Sequence, residues 1–166
     1  MLKILNFYNY SHVTPLRKVK QGRSISISPN VWFAEPERIE IGDNAHLGGR
    51  CMIWAGPTVA KIVIGADALF GPEVMITAAS YRYNDGPCVT KQNMNEADVI
   101  IGRDVWLATR VVVLPGTTIG DGCIVAAGAV LSGTYPAMSI IAGAPAKVVS
   151  TRRIGDTDHP GPHQPQ

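Results

Sequence analysis

The chain has 166 residues, 46% of them apolar and 17% charged, with a formal net charge of +2. That length and apolar content suit a single domain with a sizeable core, and the charge is low for a helical protein. The small net charge, with no basic stripe interleaved with aromatics, argues against a nucleic-acid partner.

The N-terminal stretch MLKILNFYNYSHVTPLRKVK contains no apolar run long enough for a signal peptide or a membrane span, so a cytoplasmic protein is expected. Residues 1–24 read as a cap segment ahead of the repetitive part of the chain.

From residue 25 onward the large aliphatic residues advance by sixes, loosely at Ile27 and Phe33, then at Ile41, Leu47 and Ile53, and again at Ile64, Phe70 and Ile76. The beat is unbroken through Ile101, Leu107, Val113, Ile119, Val125 and Leu131. Four residues after each of the first five stands a small or β-branched residue: Val105, Val111, Thr117, Cys123 and Ala129. A helix would place apolar residues three and four apart, and a half-buried strand would alternate them, so neither template fits. A short strand and a tight turn per hexapeptide does fit. Three such units close a triangle, and coils of eighteen residues stack into a parallel β-helix with the aliphatic residue inward. Gly-rich corners are then expected.

This register predicts three columns. Ile41, Ile64, Ile101 and Ile119 form the first; Leu47, Phe70, Leu107 and Val125 the second; Ile53, Ile76, Val113 and Leu131 the third. Successive members should lie about 4.8 Å apart, the spacing of paired strands. Two residues are inserted before Ile41, five between Ile53 and Ile64, and nineteen between Ile76 and Ile101. These insertions should leave the prism at its corners, the longest as a projecting loop over residues 77–100.

Three cysteines form no metal-binding pattern. Cys51 and Cys123 occupy the small inward position of their hexapeptides and read as core, and Cys88 falls in the long insertion as a bystander. Residues 151–166, ending in TDHPGPHQPQ, are polar and Pro-rich without the beat, and read as a flexible tail.

The repeats, the phrase IGRDVWLATRVVVLPGTTIGDG and the closing SIIAGAPAKVV resemble the hexapeptide-repeat acyltransferases over residues 25–150. The resemblance implies a left-handed parallel β-helix, acetyl-CoA as acyl donor, no metal, and a homotrimer with active sites between subunits. The hand comes from the resemblance alone, since the general preference for crossovers is right-handed. It also implies that the pantetheine arm runs along the backbone at Ala108 and Ala126, with Ala127 beside the second. Lys147, followed by Arg152 and Arg153, resembles the basic end that meets the phosphates or adenine. Small residues also suit a tight corner, and a basic terminus also suits solvent. Trp106 takes the aromatic position that lines the acceptor groove, although it could serve packing alone. Ala144 stands where relatives often have Asn.

One departure bears on catalysis. Relatives commonly carry a general-base histidine where this chain has Tyr81, in SYRYND. Attack of a hydroxyl on a thioester is eased by a group with a pKa near ambient. A phenol, ordinarily ionising near ~10, is a poor proton acceptor at neutral pH. Of the four histidines, His12 precedes the repeats while His159 and His163 lie in the tail. That leaves His46, which the register puts two coils below Trp106, about 10 Å away. His46 could also be an idle corner residue; Asp85 and Asn84 are weaker substitutes.

These features point to an acetyl-CoA-dependent O-acetyltransferase acting on a sugar hydroxyl, in making or decorating a surface polysaccharide. The alternative is a β-helical scaffold or assembly subunit that has lost catalysis, supported by the missing histidine. A carbonic anhydrase on this scaffold would need three suitably placed histidines. A serine acetyltransferase would carry a helical N-terminal domain, for which no segment is evident.

Overall fold

Each hexapeptide folds as a strand of two or three residues and a turn in the computed structural model of the protein, which describes residue 3 and residues 12–155. Strands of successive coils pair in parallel and build three flat faces. Among the described residues, the first face holds Lys20–Gln21, Ile39–Ile41, Ile62–Ile64, Val99–Ile101, Thr118–Ile119 and Thr134–Tyr135. The second holds Ser26–Ile27, His46–Leu47, Leu69–Phe70, Trp106–Leu107, Ile124–Val125 and Ser139–Gly143. The third holds Trp32–Ala34, Met52–Trp54, Met75–Thr77, Val112–Val113 and Val130–Leu131.

The register agrees residue by residue with the three expected columns. Ile41 pairs with Ile64, Ile64 with Ile101, and Ile101 with Ile119. Leu47, Phe70, Leu107 and Val125 follow one another on the second face, and Ile53, Ile76, Val113 and Leu131 on the third. These side chains are buried, as are the small or β-branched residues two places before each of them, among them Ala45, Val111, Cys123 and Ala129. Burying one such aliphatic chain stabilises the fold by roughly 1.5–3 kcal/mol relative to leaving it exposed. Cys51 and Cys123 pack in this core, where burial pushes their thiols up. Cys88 is exposed.

Corners form at the fourth position of the hexapeptide, where the backbone enters the left-handed region. Asn44, Asp67 and Asp104 do so with φ of 59°, 59° and 52°, and the next member of that edge is Gly122 at 71°. Asn and Asp tolerate this conformation better than most side chains, and glycine adopts it without steric cost.

Both ends of the prism are covered. The short helix Thr14–Lys18 lays Leu16 against the core beside Ile25 and Ile27, and Lys18 pairs with Glu37 at 2.8 Å. At the far end the strand Ala146–Thr151 folds back antiparallel on Ser139–Gly143 and covers what would be an open edge. The first residues of the expected tail belong to the folded body: Thr151 lies in that strand, and Arg152 is tied to the corner at Asp104. The rest of the expected tail from residue 156, with His159 and His163, lies outside the described residues, as do residues 1–2 and 4–11 of the expected cap.

All three insertions leave from the edge where the third face turns into the first. The longest forms an antiparallel hairpin of Ala79–Tyr81 with Met94–Glu96, and its residues 80–91 are exposed.

Candidate active site

The outward residues of the second face form one row because the strand alternates. With Leu47, Phe70 and Leu107 inward, the residues just before them point out. Ser26, His46, Leu69, Trp106, Ile124 and Ile140 are thus in register. His46 is exposed, and Leu69 and Trp106 are each 45% exposed, so the row presents an imidazole and an apolar strip to whatever covers this face.

Immediately after each inward residue of this column comes a small one: Gly48, Gly71, Ala108, Ala126 and Ala142. Part of the reason is packing. A Cβ on Gly71 would stand 2.8 Å from the amide of Thr109 in the next coil. The amides of Ala108 and Ala126 are already spent on the ladder, donating to Val125 O at 3.0 Å and Ile141 O at 2.8 Å. A ligand lying along these alanines therefore meets their carbonyl oxygens, which accept turn contacts of 3.4 Å from Val111 and 3.2 Å from Ala129. The row suits an amide-bearing chain that donates N–H groups. Ala127 is exposed beside it.

The basic residues divide. Lys147 pairs in antiparallel register with Ala142 and is exposed, so a cation stands at the end of the small-residue row. Arg152 is engaged elsewhere. Its guanidinium donates to Asp104 Oδ2 at 2.7 Å and to Gly122 O at 3.1 Å, clamping the edge between the first and second faces. Arg153 is exposed. Along the edge after the alanines, Glu73 lies between Arg110 and Arg50, and Arg110 foremost holds its carboxyl below the ordinary range.

Tyr81 and Asp85 belong to the opposite part of the molecule. Tyr81 is half exposed on the hairpin rooted at the edge of the third and first faces, whereas His46, Trp106 and the alanines belong to the second face and its border. Asp85 is held within the hairpin: Arg82 reaches it at 3.3 Å, and Arg82 also donates to Asn95 at 2.7 Å. The Gln92 side chain donates to Gly86 O and accepts from Asp85 N, bridging the tip. One chain thus collects Trp106, His46, Ala108, Ala126, Ala127 and Lys147 on one side and holds Tyr81 and Asp85 on another.

Sequence reasoning missed the residues that fix the hairpin. The Glu96 carboxylate accepts from the amides of Thr58, Val59 and Ala60 at 3.1, 2.8 and 3.0 Å and from the Thr58 hydroxyl. These donors, Ala60 N–H foremost, lower its pKa from the ordinary 4.5 to about 2. Arg38 approaches the same segment from its other side, donating to Ala60 O at 3.0 Å and to Gly56 O. An acidic residue shortly before the resumption of the beat was the available signal.

Among the described residues, no group of three or more His, Cys, Asp or Glu could hold a metal ion, and no helix is long and apolar enough to cross a membrane. The family described as Bacterial transferase hexapeptide (six repeats) matches residues 98–133. A probable acetyltransferase of Mycobacterium tuberculosis is 36% identical over 86% of this chain, which spans about half (48%) of that protein's length. The putative lipopolysaccharide biosynthesis O-acetyl transferase WbbJ of Escherichia coli is 30% identical, with 85% of this chain and 68% of that one covered. The crystal structure of a hexapeptide-repeat acetyltransferase of Vibrio cholerae, complexed with acetyl coenzyme A, matches with a TM-score of 0.75 at 24% identity, covering 85% of this chain and 75% of that one. The likeness fixes the fold as the left-handed parallel β-helix. Repeat, fold and relatives agree, and the chain belongs to the hexapeptide-repeat acyltransferase family.

Proposed function

We propose that the protein is an acetyl-CoA-dependent O-acetyltransferase that acetylates a sugar hydroxyl, working as a cytoplasmic homotrimer in polysaccharide biosynthesis. The observation that carries this reading is the line Ala108, Ala126, Ala142 and Lys147, a row of small residues ending in a cation, with Trp106 two positions before its first alanine. Coenzyme A would lie along it, its amides toward the carbonyls and its phosphates toward Lys147. As acetyl-CoA it would supply a thioester carbonyl open to attack by an alcohol, the C–S bond breaking and the coenzyme A thiol leaving with the proton. His46 is the group on that face suited to take the acceptor's proton. Tyr81 of a neighbouring copy would donate a hydrogen bond to the acceptor or to the developing oxyanion.

Support for assembly comes from the outward rows. Trp32, Met52 and Met75 stand in register on the third face, 39%, 46% and 40% exposed, and Leu69 and Trp106 stand on the second. Contiguous exposed apolar surface of this kind marks a protein interface. Packing the third face of one copy near the second of the next, with a rotation of a third of a turn, would close a threefold ring. Such a ring would carry the hairpin of one chain toward the His46 row of another.

The sugar acceptor and the polysaccharide setting rest on the lipopolysaccharide O-acetyl transferase relative. The test is release of free coenzyme A thiol from acetyl-CoA in the presence of a panel of mono- and oligosaccharides. Sugar-dependent release, with acetyl recovered as an oxygen ester, is expected. A second reading, a non-catalytic scaffold, draws on Tyr81 in the place of the usual histidine; it predicts cofactor binding without sugar-dependent release.

A further inference from the structure

The hairpin that carries Tyr81 is a two-stranded element, and such hairpins are marginal on their own in water. Its position depends on how its root is held. Ala79 pairs with Glu96, and Tyr81 with Met94, so Glu96 sits on the rung two residues from the tyrosine. From there its carboxylate reaches out of the hairpin to three consecutive amides and one hydroxyl of the 58–60 segment. Arg38 binds carbonyls of the same loop, at Gly56 and Ala60. The short loop is therefore fixed between an anion that takes its N–H groups and a cation that takes its C=O groups.

Shape agrees with charge at this junction. Gly56 has φ of +81°, and a Cβ there would meet Ala79 Cβ at 2.9 Å and Glu96 Oε2 at 3.0 Å. Glycine is required both for the backbone conformation and for the close seating of the hairpin root.

We propose that Glu96 is a positioning residue, seating the 79–96 hairpin on the 56–60 loop and thereby setting where Tyr81 stands in the acceptor site. Its consequence for turnover rests on the acyltransferase reading; the seating itself does not.

The experiment is hydrogen–deuterium exchange, read by mass spectrometry, on the full-length protein and its Glu96→Gln, Glu96→Asp and Gly56→Ala variants. Glutamine keeps the size but loses the charge and turns an N–H₂ toward donors. Exchange is expected to rise roughly tenfold or more at residues 58–60 and also at the hairpin amides of residues 79–82 and 94–96, as expected when charge-assisted bonds are lost. Gly56→Ala should loosen the hairpin with the carboxylate intact, Glu96→Asp should fall between, and core amides near Leu107 and Val125 should keep wild-type protection as the control for folding. Faster exchange confined to residues 58–60, with hairpin protection unchanged, overturns the proposal.

With a sugar acceptor from the thiol-release panel, Glu96→Gln should lower kcat over the acceptor KM about tenfold while the KM for acetyl-CoA stays within about twofold. A rise in both KM values together would mark a general structural role and overturn the positioning claim. Should wild type release no thiol with any sugar, the acyltransferase reading fails, and the exchange pattern alone still decides the role of Glu96.

Discussion

Trp106 and His46 share one outward row of the second face, two coils apart, with Leu69 between them in register with both. At the strand spacing this separates them by about 10 Å, room for an acceptor whose hydroxyl meets the imidazole near the thioester. His46→Ala is expected to lower kcat by roughly two orders of magnitude, the usual scale of general-base catalysis, and to leave cofactor affinity unchanged. Steady-state kinetics and calorimetry on the same variant check both halves. Wild-type turnover in His46→Ala would remove the imidazole from the mechanism.

Tyr81 is expected to act through its hydroxyl. Tyr81→Phe should cost less than His46→Ala, within about tenfold, since one hydrogen bond is lost and no proton acceptor. Tyr81→His supplies an imidazole where relatives commonly have one. If His46 carries the proton, this variant gains little; a large gain together with an unaffected His46→Ala would mean that the natural protein works without a base.

Lys147 and Arg152 should behave differently. Lys147→Ala should weaken coenzyme A binding by roughly two- to tenfold, less at high salt, as expected for an exposed charge meeting phosphate. Arg152→Ala should instead lower thermal stability, because its guanidinium joins Asp104 and Gly122 across the edge. A binding loss for Arg152→Ala larger than that for Lys147→Ala would contradict this division.

The Glu96 seat has a defined pH window. Its folded pKa of about 2 lies below the ordinary 4.5, so the folded state favours the carboxylate. The contribution is full above pH 4.5 and is lost progressively as pH falls toward about 2. The difference in hairpin protection between wild type and Glu96→Gln should therefore be constant from neutral pH to about 4.5 and shrink below it. A difference already vanishing near pH 6 would contradict the seat.

The columns were legible because the coil repeats one physical demand: an aliphatic side chain inward every sixth residue. Insertions did not disturb the count, since each leaves at one edge and the chain re-enters on the register of the coil below, as Ile64 on Ile41 and Ile101 on Ile64. Glycine was the expected corner residue, but the edge between the first and second faces uses Asn44, Asp67 and Asp104, short polar residues that tolerate the left-handed backbone. Glu96 could be noticed as an acidic residue shortly before the beat resumes, but its partners and the roles of Arg38 and Gly56 were not legible, because a loop without a period gives no hint of which amides a carboxylate will meet. Arg152 was ambiguous for another reason: a cation beside Lys147 in sequence serves equally well as a ligand contact or as a clamp. The engagement of the Ala108 and Ala126 amides follows from coil stacking and leaves a ligand there carbonyl acceptors rather than free donors.

The most direct test of the whole account needs no acceptor: titration of the full-length protein with acetyl-CoA by isothermal calorimetry, alongside variants in which Ala108 or Ala126 is replaced by a bulky residue. The account predicts saturable binding at one site per chain, with Ala108→Leu and Ala126→Leu abolishing it while the proteins stay folded. Wild-type protein that takes up no acetyl-CoA, or variants that bind it as well as wild type, would contradict the assignment of the row from Ala108 to Lys147 as the cofactor site.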